Sequence, residues 1–140
     1  MQNQIIPNNI LSAEQADLLN PQVLAFVGDS VYTLILRTHF CKISPAKSGK
    51  LHIYCNEYVS APAQSAHLDL LLPLFTEHEH DIMRRGRNTH VHSIAKNANV
   101  EEYKKATAFE AVFGYLYLTG EYDRIYQFVD LIINKGIIKK

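Results

Sequence analysis

The sequence predicts an all-α fold in one domain, and three observations lead to that prediction. Helix-start signals, in which Ser, Thr or Asn precedes Gln, Glu or Pro at the right spacing, recur along the chain. Apolar residues between these signals repeat at three- and four-residue intervals, as on one face of a helix. No convincing pair of strands is visible, and 140 residues suffice for one domain with a sizeable core.

Each helix is predicted from its own start or stop signal. Ser12 with Gln15 opens a short first helix, and Asn20 followed by Pro21 opens a long second one. Gly120 stops the sixth, since glycine takes the left-handed conformation that ends many helices. The longer helices are predicted at about 21–39, 45–56, 58–72, 77–85, 99–119 and 123–135, with a polar loop at 86–98. We divide the chain into an N-terminal segment, 1–20, and a main domain, 21–140; the sequence leaves open whether the segment packs against the domain.

The composition of the chain argues against several classes of function. With 47% hydrophobic and 20% charged residues and a formal net charge of zero, the chain has no overall field that attracts nucleic acid or membranes. Its longest apolar stretch, 23–36, is too short to span a bilayer, and its N-terminus lacks a signal-peptide pattern. Cys41 and Cys55 lie far apart without a CxxC pattern. We therefore expect a cytoplasmic protein with reduced thiols and no membrane partner.

Asp29 is the first candidate functional residue, because it interrupts the apolar stretch LAFVGDSVY at 24–32. An unpaired buried carboxylate is costly, so such a group neutralises, finds a partner or binds a metal. A buried aspartate that caps a helix or pairs with an arginine explains the pattern as well as a metal ligand does.

Glu110 is the second candidate, in the equally apolar segment 106–118. Its helical neighbours Thr107 and Gly114 are small and leave room for a ligand or a close helix. If Glu110 packs near Asp29, the two carboxylates repel unless a hard cation such as Mg²⁺ lies between them, an arrangement that suits phosphodiester hydrolysis. A tight helix crossing at Gly114, with the carboxylate reaching solvent, is the simpler alternative.

A basic segment at 84–105 is the third feature, with six Lys or Arg against two acids. Guanidinium groups suit phosphates, so the cluster RRGRN at 84–88 could contact RNA; a solvated helix end is the alternative. His90 and His92 lie in the same segment, but neither their spacing nor that of EHEHD at 77–81 fits a zinc site.

Three stretches together resemble the ribonuclease III family. LAFVGDSVY is similar to its signature, Phe-Leu-Gly-Asp-Ala/Ser-Val, and FEAVFGYLYL at 109–118 is similar to its second acidic motif, Glu-Ala-x-x-Gly-x-x-x-Leu. RRGRN followed by AKNANVEEYKKATAFEA at 95–111 resembles the compact branch, mini-ribonuclease III, which lacks a separate double-stranded-RNA-binding domain. The resemblance runs from about 21 to 118, which is most of the chain.

The resemblance implies a dimeric, all-helical endonuclease that cleaves duplex RNA, giving 5′-phosphate and 3′-hydroxyl ends. Asp29 and Glu110 match the two acids that bind Mg²⁺, for which Mn²⁺ can substitute, and Phe26 matches the aromatic residue that inserts into the partner protomer. The implied RNA contacts are Arg84, Arg85, Arg87 and Asn88, to which we add Lys96 from the same basic segment. The implied substrate is the duplex at the ends of the 23S (large-subunit) ribosomal RNA precursor, with a ribosomal protein as a candidate for presenting it.

The sequence also departs from the wider family. Further carboxylates that typical ribonuclease III enzymes carry are replaced here by Gln22, Ala25 and Thr107, and Pro62 stands where the compact branch tends to have lysine. We therefore expect one Mg²⁺ held by Asp29 and Glu110, and the sequence leaves open a second ion recruited with the substrate. Because fewer carboxylates are present than in the wider family, a second hypothesis stays open: a catalytically inactive RNA-binding or ribosome-associated module.

Overall fold

The computed structural model describes residues 10–43, 48–89 and 99–135, and within these ranges it contains helices and no strand. This confirms the predicted all-α fold. The helices are α1 (Ala13–Asp17), α2 (Pro21–Ile43), α3 (Ser48–Val59), α4 (Ala61–Leu71), α5 (Glu77–Arg87), α6 (Val100–Leu118) and α7 (Tyr122–Lys135), with a 3-10 turn at Leu72–Leu74 after α4. None of these helices combines the length and the apolarity needed to cross a membrane.

The predicted helix starts follow from local capping. The hydroxyls of Ser12 and Thr76 each accept a hydrogen bond from the backbone N–H three residues on. In return, the side chains of Gln15 and Glu79 accept from the backbone N–H of Ser12 and Thr76. Asn99 caps α6 with its side-chain oxygen alone, which accepts from the Glu102 backbone. At the other end of α6, Gly120 has a φ of +78° and completes a Schellman motif, as predicted.

Two helix boundaries differ from the prediction for identifiable reasons. α4 begins at Ala61 and not at 58, because the Ser60 hydroxyl accepts from the Ala63 backbone and sets the start. α5 continues through Gly86 to Arg87, so the predicted loop at 86–98 is wrong at its beginning. A Cβ on Gly86 would lie 3.0 Å from the Ala108 Cα, so this glycine serves a close approach to α6 and does not end α5. α2 and α3 also end a few residues later than predicted, at Ile43 and Val59.

α6 is the central helix, and α2, α4 and α5 pack around it. Every position of α6 from 108 to 116 is buried except Glu110, which explains why this part of its sequence is apolar on every side. Its Phe109 and Phe113 rings pack edge-on against Tyr32 of α2, with centroids 4.9 and 5.2 Å away. The functional groups of α2 and α6 are therefore carried by the two helices that form the core.

Residues 10–20 pack against the main body. The Leu11 backbone donates to the Leu118 carbonyl at 2.8 Å. The Arg85 guanidinium donates to the carbonyls of Asp17 and Leu19 at the end of α1, at 3.0 and 3.3 Å. His78 lies 2.9 Å from the Asp17 carboxylate. These contacts place α1 against α5 and the end of α6.

Candidate active site

α2 and α6 cross with their backbones in contact, and two glycines make this possible. A Cβ on Gly28 would lie 1.8 Å from the Glu110 carbonyl oxygen, and a Cβ on Gly114 would lie 1.9 Å from the Leu24 carbonyl oxygen. Both separations are far below any van der Waals contact, so no side chain fits at either position. The tight crossing considered as an alternative at Gly114 is present, and it brings the two acidic motifs together.

Asp29 and Glu110 meet beside this crossing. Asp29 lies within α2 on its exposed side, so its carboxylate is not buried although the sequence around it is apolar. Glu110 is partly buried, and the two side chains are close enough to share a hydrogen bond. Burial, the charge of Asp29 and this hydrogen bond raise the pKa of Glu110 to about 8. At neutral pH Glu110 therefore holds a proton that a cation between the carboxylates would displace.

Gln64 of α4 contacts the same carboxylate, and the sequence analysis did not identify it. Its Nε2 donates a hydrogen bond to Glu110 Oε2 at 3.4 Å. This hydrogen bond lowers the pKa of Glu110 and offsets part of the increase caused by burial and by Asp29. The side chain is only 1% exposed. The available signal was a lone amide among the small residues of 60–66, which is too weak to predict a contact with α6.

The positions where the wider family carries further acids do not contribute carboxylates here. Ala25 is buried, and the Thr107 hydroxyl donates to the Tyr103 carbonyl within α6. Among the described residues no group of three or more His, Cys, Asp or Glu side chains is arranged to hold a metal. The candidate site is thus a carboxylate pair open to solvent on the Asp29 side.

The side chains predicted to contact RNA differ in their exposure and in the protein groups they already contact. Arg84 and Arg87 are exposed and pair with the acids Asp81 and Glu101, whereas Arg85 is turned toward α1 by the two carbonyls it contacts. Asn88 is exposed and caps the end of α5. Lys96, with His90 and His92, lies outside the described residues. An RNA role for these side chains stays a prediction.

Phe26 is the most exposed large apolar side chain of α2, at 78%, on the side of the helix that faces away from the core. Val23 and Leu34, at helical spacing along the same exposed side, are 45% and 55% exposed. Together these residues form an apolar stripe on the surface of the protomer. Such a stripe is typical of an interaction surface.

Comparisons with known proteins show the family of the chain. The model of the ribonuclease III domain matches residues 22–121. A mini-ribonuclease 3 from Brevibacillus brevis is 46% identical over 113 residues, covering 81% of this chain and 84% of that protein. One from Streptococcus pneumoniae is 43% identical over 121 residues, covering 85% and 94%. A crystal structure of a Fusobacterium nucleatum protein matches with a TM-score of 0.79 at 26% identity, over 86% of this chain and 96% of that one. The chain therefore belongs to the ribonuclease III family, in its mini-ribonuclease III branch, and is an endoribonuclease.

Proposed function

We propose that this endoribonuclease cleaves double-stranded RNA in a Mg²⁺-dependent reaction, with Asp29 and Glu110 as the metal ligands. The observation that carries the proposal is that these two carboxylates meet at the α2–α6 crossing. Either acidic motif alone would not indicate a metal site. A partly buried acid whose pKa is raised by a like charge is typical of a functional site.

The donor set fits Mg²⁺ better than a softer metal. Mg²⁺ prefers carboxylate oxygens and commonly uses one or two of them, keeping its other positions for water and phosphate oxygens. When bound, it would activate a water and stabilise charge on the phosphate. Asp29 provides the solvent-facing side at which a phosphate can approach, and Glu110 provides the ligand on the core side. Mn²⁺ has similar ligand preferences, so we expect it to substitute.

The direct test is cleavage of an end-labelled RNA duplex by the purified protein with Mg²⁺, with Mn²⁺ and with a chelator. We expect metal-dependent cuts that leave 5′-phosphate and 3′-hydroxyl ends, and little cleavage of the separated strands. A protein that shifts the duplex in a gel but never cuts it under any of these conditions would contradict the proposal.

Mg²⁺ affinity is expected to rise with pH up to about pH 8. The metal-free protein binds a proton at Glu110 below its raised pKa of about 8, whereas the unfolded chain loses that proton near the ordinary value. The stability that Glu110 contributes to the metal-free fold is therefore lost as pH rises from about 5 to 8. To bind, Mg²⁺ must displace the proton of Glu110. Apparent affinity should then increase by up to about tenfold per pH unit between pH 6 and 8.

This linkage is measured as the shift in melting temperature caused by Mg²⁺ at pH 6, 7 and 8. Asp29→Asn is the control, because removing one carboxylate removes both the repulsion and a ligand. A shift that is the same at all three pH values would show that Glu110 does not exchange a proton for the metal.

We further propose that the protein acts as a homodimer through the apolar stripe of Val23, Phe26 and Leu34. Burying one phenyl ring contributes about 2 kcal/mol, and a symmetric interface buries two, so Phe26→Ala should weaken the dimer by roughly 10³-fold. Sedimentation over a concentration range measures this dissociation constant. Tyr126→Ala is the matched control, since Tyr126 is 58% exposed on α7. Equal effects of the two variants would rule out the stripe as the interface.

Duplex RNA is bound mainly through its phosphates and 2′-hydroxyls, which suits exposed arginines. We propose Arg84, Arg87, Asn88 and Lys96 as direct contacts, and Arg85 as a contact only if its guanidinium leaves the α1 carbonyls. Because these proposed contacts are mostly charged groups on phosphates, binding should weaken steeply with salt.

As natural substrate we propose the duplex formed by the ends of the 23S ribosomal RNA precursor, with a ribosomal protein that presents it and a cytoplasmic site of action. The support is the family resemblance together with the relatives named mini-ribonuclease 3. Comparing cleavage of this precursor, with and without bound ribosomal proteins, against an unrelated duplex of equal length tests the assignment.

A further inference from the structure

Gln64 is a deeply buried amide whose position is not explained by the core. It lies one turn into α4, where the Gln64 backbone donates to the Ser60 carbonyl, and its neighbours Ala63 and Ser65 are small and buried. A buried amide needs hydrogen-bond partners, because an unpaired one is strongly destabilising. At this position a leucine would fill similar volume without that requirement.

The partner that Gln64 reaches is the Glu110 carboxylate on a different helix. Its Nε2 lies 3.4 Å from Glu110 Oε2, while the same carboxyl group shares a hydrogen bond with Asp29. Glu110 is therefore held between an amide on α4 and a carboxyl on α2. The amide therefore contacts a carboxyl group that also faces the other member of the acidic pair.

We propose that Gln64 is a positioning residue that orients the Glu110 carboxylate for metal binding. The inference rests on the proposed metal site, and it adds a residue that touches neither metal nor RNA. Hydrogen bonds to a ligating carboxylate fix its orientation, and losing such a partner typically weakens metal affinity or activity by 10- to 100-fold. A glutamate at 64 would reach the same place but would add a third negative group and no donor.

The experiment uses Mn²⁺ alone as the probe and measures its binding to the full-length protein by calorimetry. We expect Gln64→Leu to bind Mn²⁺ at least tenfold more weakly than the wild type. His67→Phe is the matched control, because His67 lies on α4 one turn further on, is also 1% exposed, and stacks on Tyr58 with no hydrogen-bond partner for its ring nitrogens within the described structure. This control should bind Mn²⁺ like the wild type.

A second readout separates positioning from a loss of structure. In cleavage assays Gln64→Leu should lower kcat at limiting Mn²⁺, leave the KM for RNA unchanged, and recover toward the wild-type kcat at high Mn²⁺. Because a bound metal also stabilises the native state, the melting temperature of the metal-free variant is measured beside these rates, and an unchanged folded fraction at the assay temperature excludes rescue through folding alone. If Gln64→Leu fails to fold, Gln64→Met provides the same comparison with an uncharged, unbranched side chain of similar length that donates no hydrogen bond.

The outcomes are distinguishable. Wild-type Mn²⁺ affinity in Gln64→Leu, with Asp29→Asn defective, would overturn the role of Gln64 and leave the proposed function standing. Equal weakening by Gln64→Leu and His67→Phe would assign the effect to α4 packing. A wild-type protein that binds no Mn²⁺ would overturn the metal site and this inference with it.

Discussion

Asp29→Asn and Glu110→Gln are each expected to lose at least about 10³-fold of the RNA cleavage rate while the protein still folds and binds duplex RNA. A metal ion at a phosphate supplies several kcal/mol of transition-state stabilisation, and each 1.4 kcal/mol corresponds to a factor of ten in rate. Both substitutions keep the side chain's shape and remove a carboxylate oxygen that would bind the metal. Initial rates on a labelled duplex, compared with gel-shift affinities, separate catalysis from binding.

Stability should move in the opposite direction to activity. Burial and then the charge of Asp29 raise the pKa of Glu110, so Asp29→Asn lowers the cost of ionising Glu110 in the metal-free protein. We therefore expect this variant to melt at the same temperature as the wild type or slightly above it. Asp130→Asn, at an exposed position on α7, is the control and should change neither quantity.

An Asp29→Asn enzyme that still cuts at near wild-type rate would remove Asp29 from the site. Activity lost together with cooperative unfolding would mean that the carboxylate stabilises the fold.

The sequence predicts helix starts well in this protein because capping is local. Ser12, Thr76 and Asn99 each bond a backbone group within three residues, and such spacing is visible without a structure. Helix ends are harder. Gly120 ends α6 with a positive φ, but Gly86 looks similar in sequence and lies inside α5 because α6 passes close by.

The candidate site was predictable in its residues but not in its geometry. Asp29 and Glu110 are distant in the chain, and only packing of α2 on α6 shows that they meet. The exposure of Asp29, the buried amide of Gln64 and the contact of Arg85 with α1 depend on tertiary packing in the same way. Each involves partners too far apart in sequence for spacing to indicate.

Alanine at Gly114 is expected to destabilise the fold by more than about 3 kcal/mol, and alanine at Gly28 by a similar amount. Each new Cβ would meet a backbone carbonyl at under 2 Å, and backbone cannot move aside as a flexible side chain can. The helices must separate, and overpacking of this kind costs about 1–3 kcal/mol even where side chains yield. Urea unfolding at matched protein concentration measures the loss.

The other glycines of the described helices supply graded controls. A Cβ on Gly86 would lie 3.0 Å from the Ala108 Cα, so Gly86→Ala should be destabilising but milder. Gly49 has open space around it, and alanine there should stabilise α3 by about 0.5–1 kcal/mol, because alanine favours helix more than glycine does. The expected order of stability is therefore Gly49→Ala, wild type, Gly86→Ala and then the two variants at the crossing.

The same series tests whether the crossing sets the distance between the carboxylates. Where Gly114→Ala or Gly28→Ala remains folded at low temperature, the separated helices should hold Asp29 and Glu110 too far apart to share a cation, and Mn²⁺ affinity should fall in the folded fraction. Gly86→Ala alters the contact of α5 with α6 and should spare that affinity. If Gly114→Ala were as stable as Gly49→Ala, or bound Mn²⁺ like the wild type, the close backbone contact could not be what brings the two acidic motifs together.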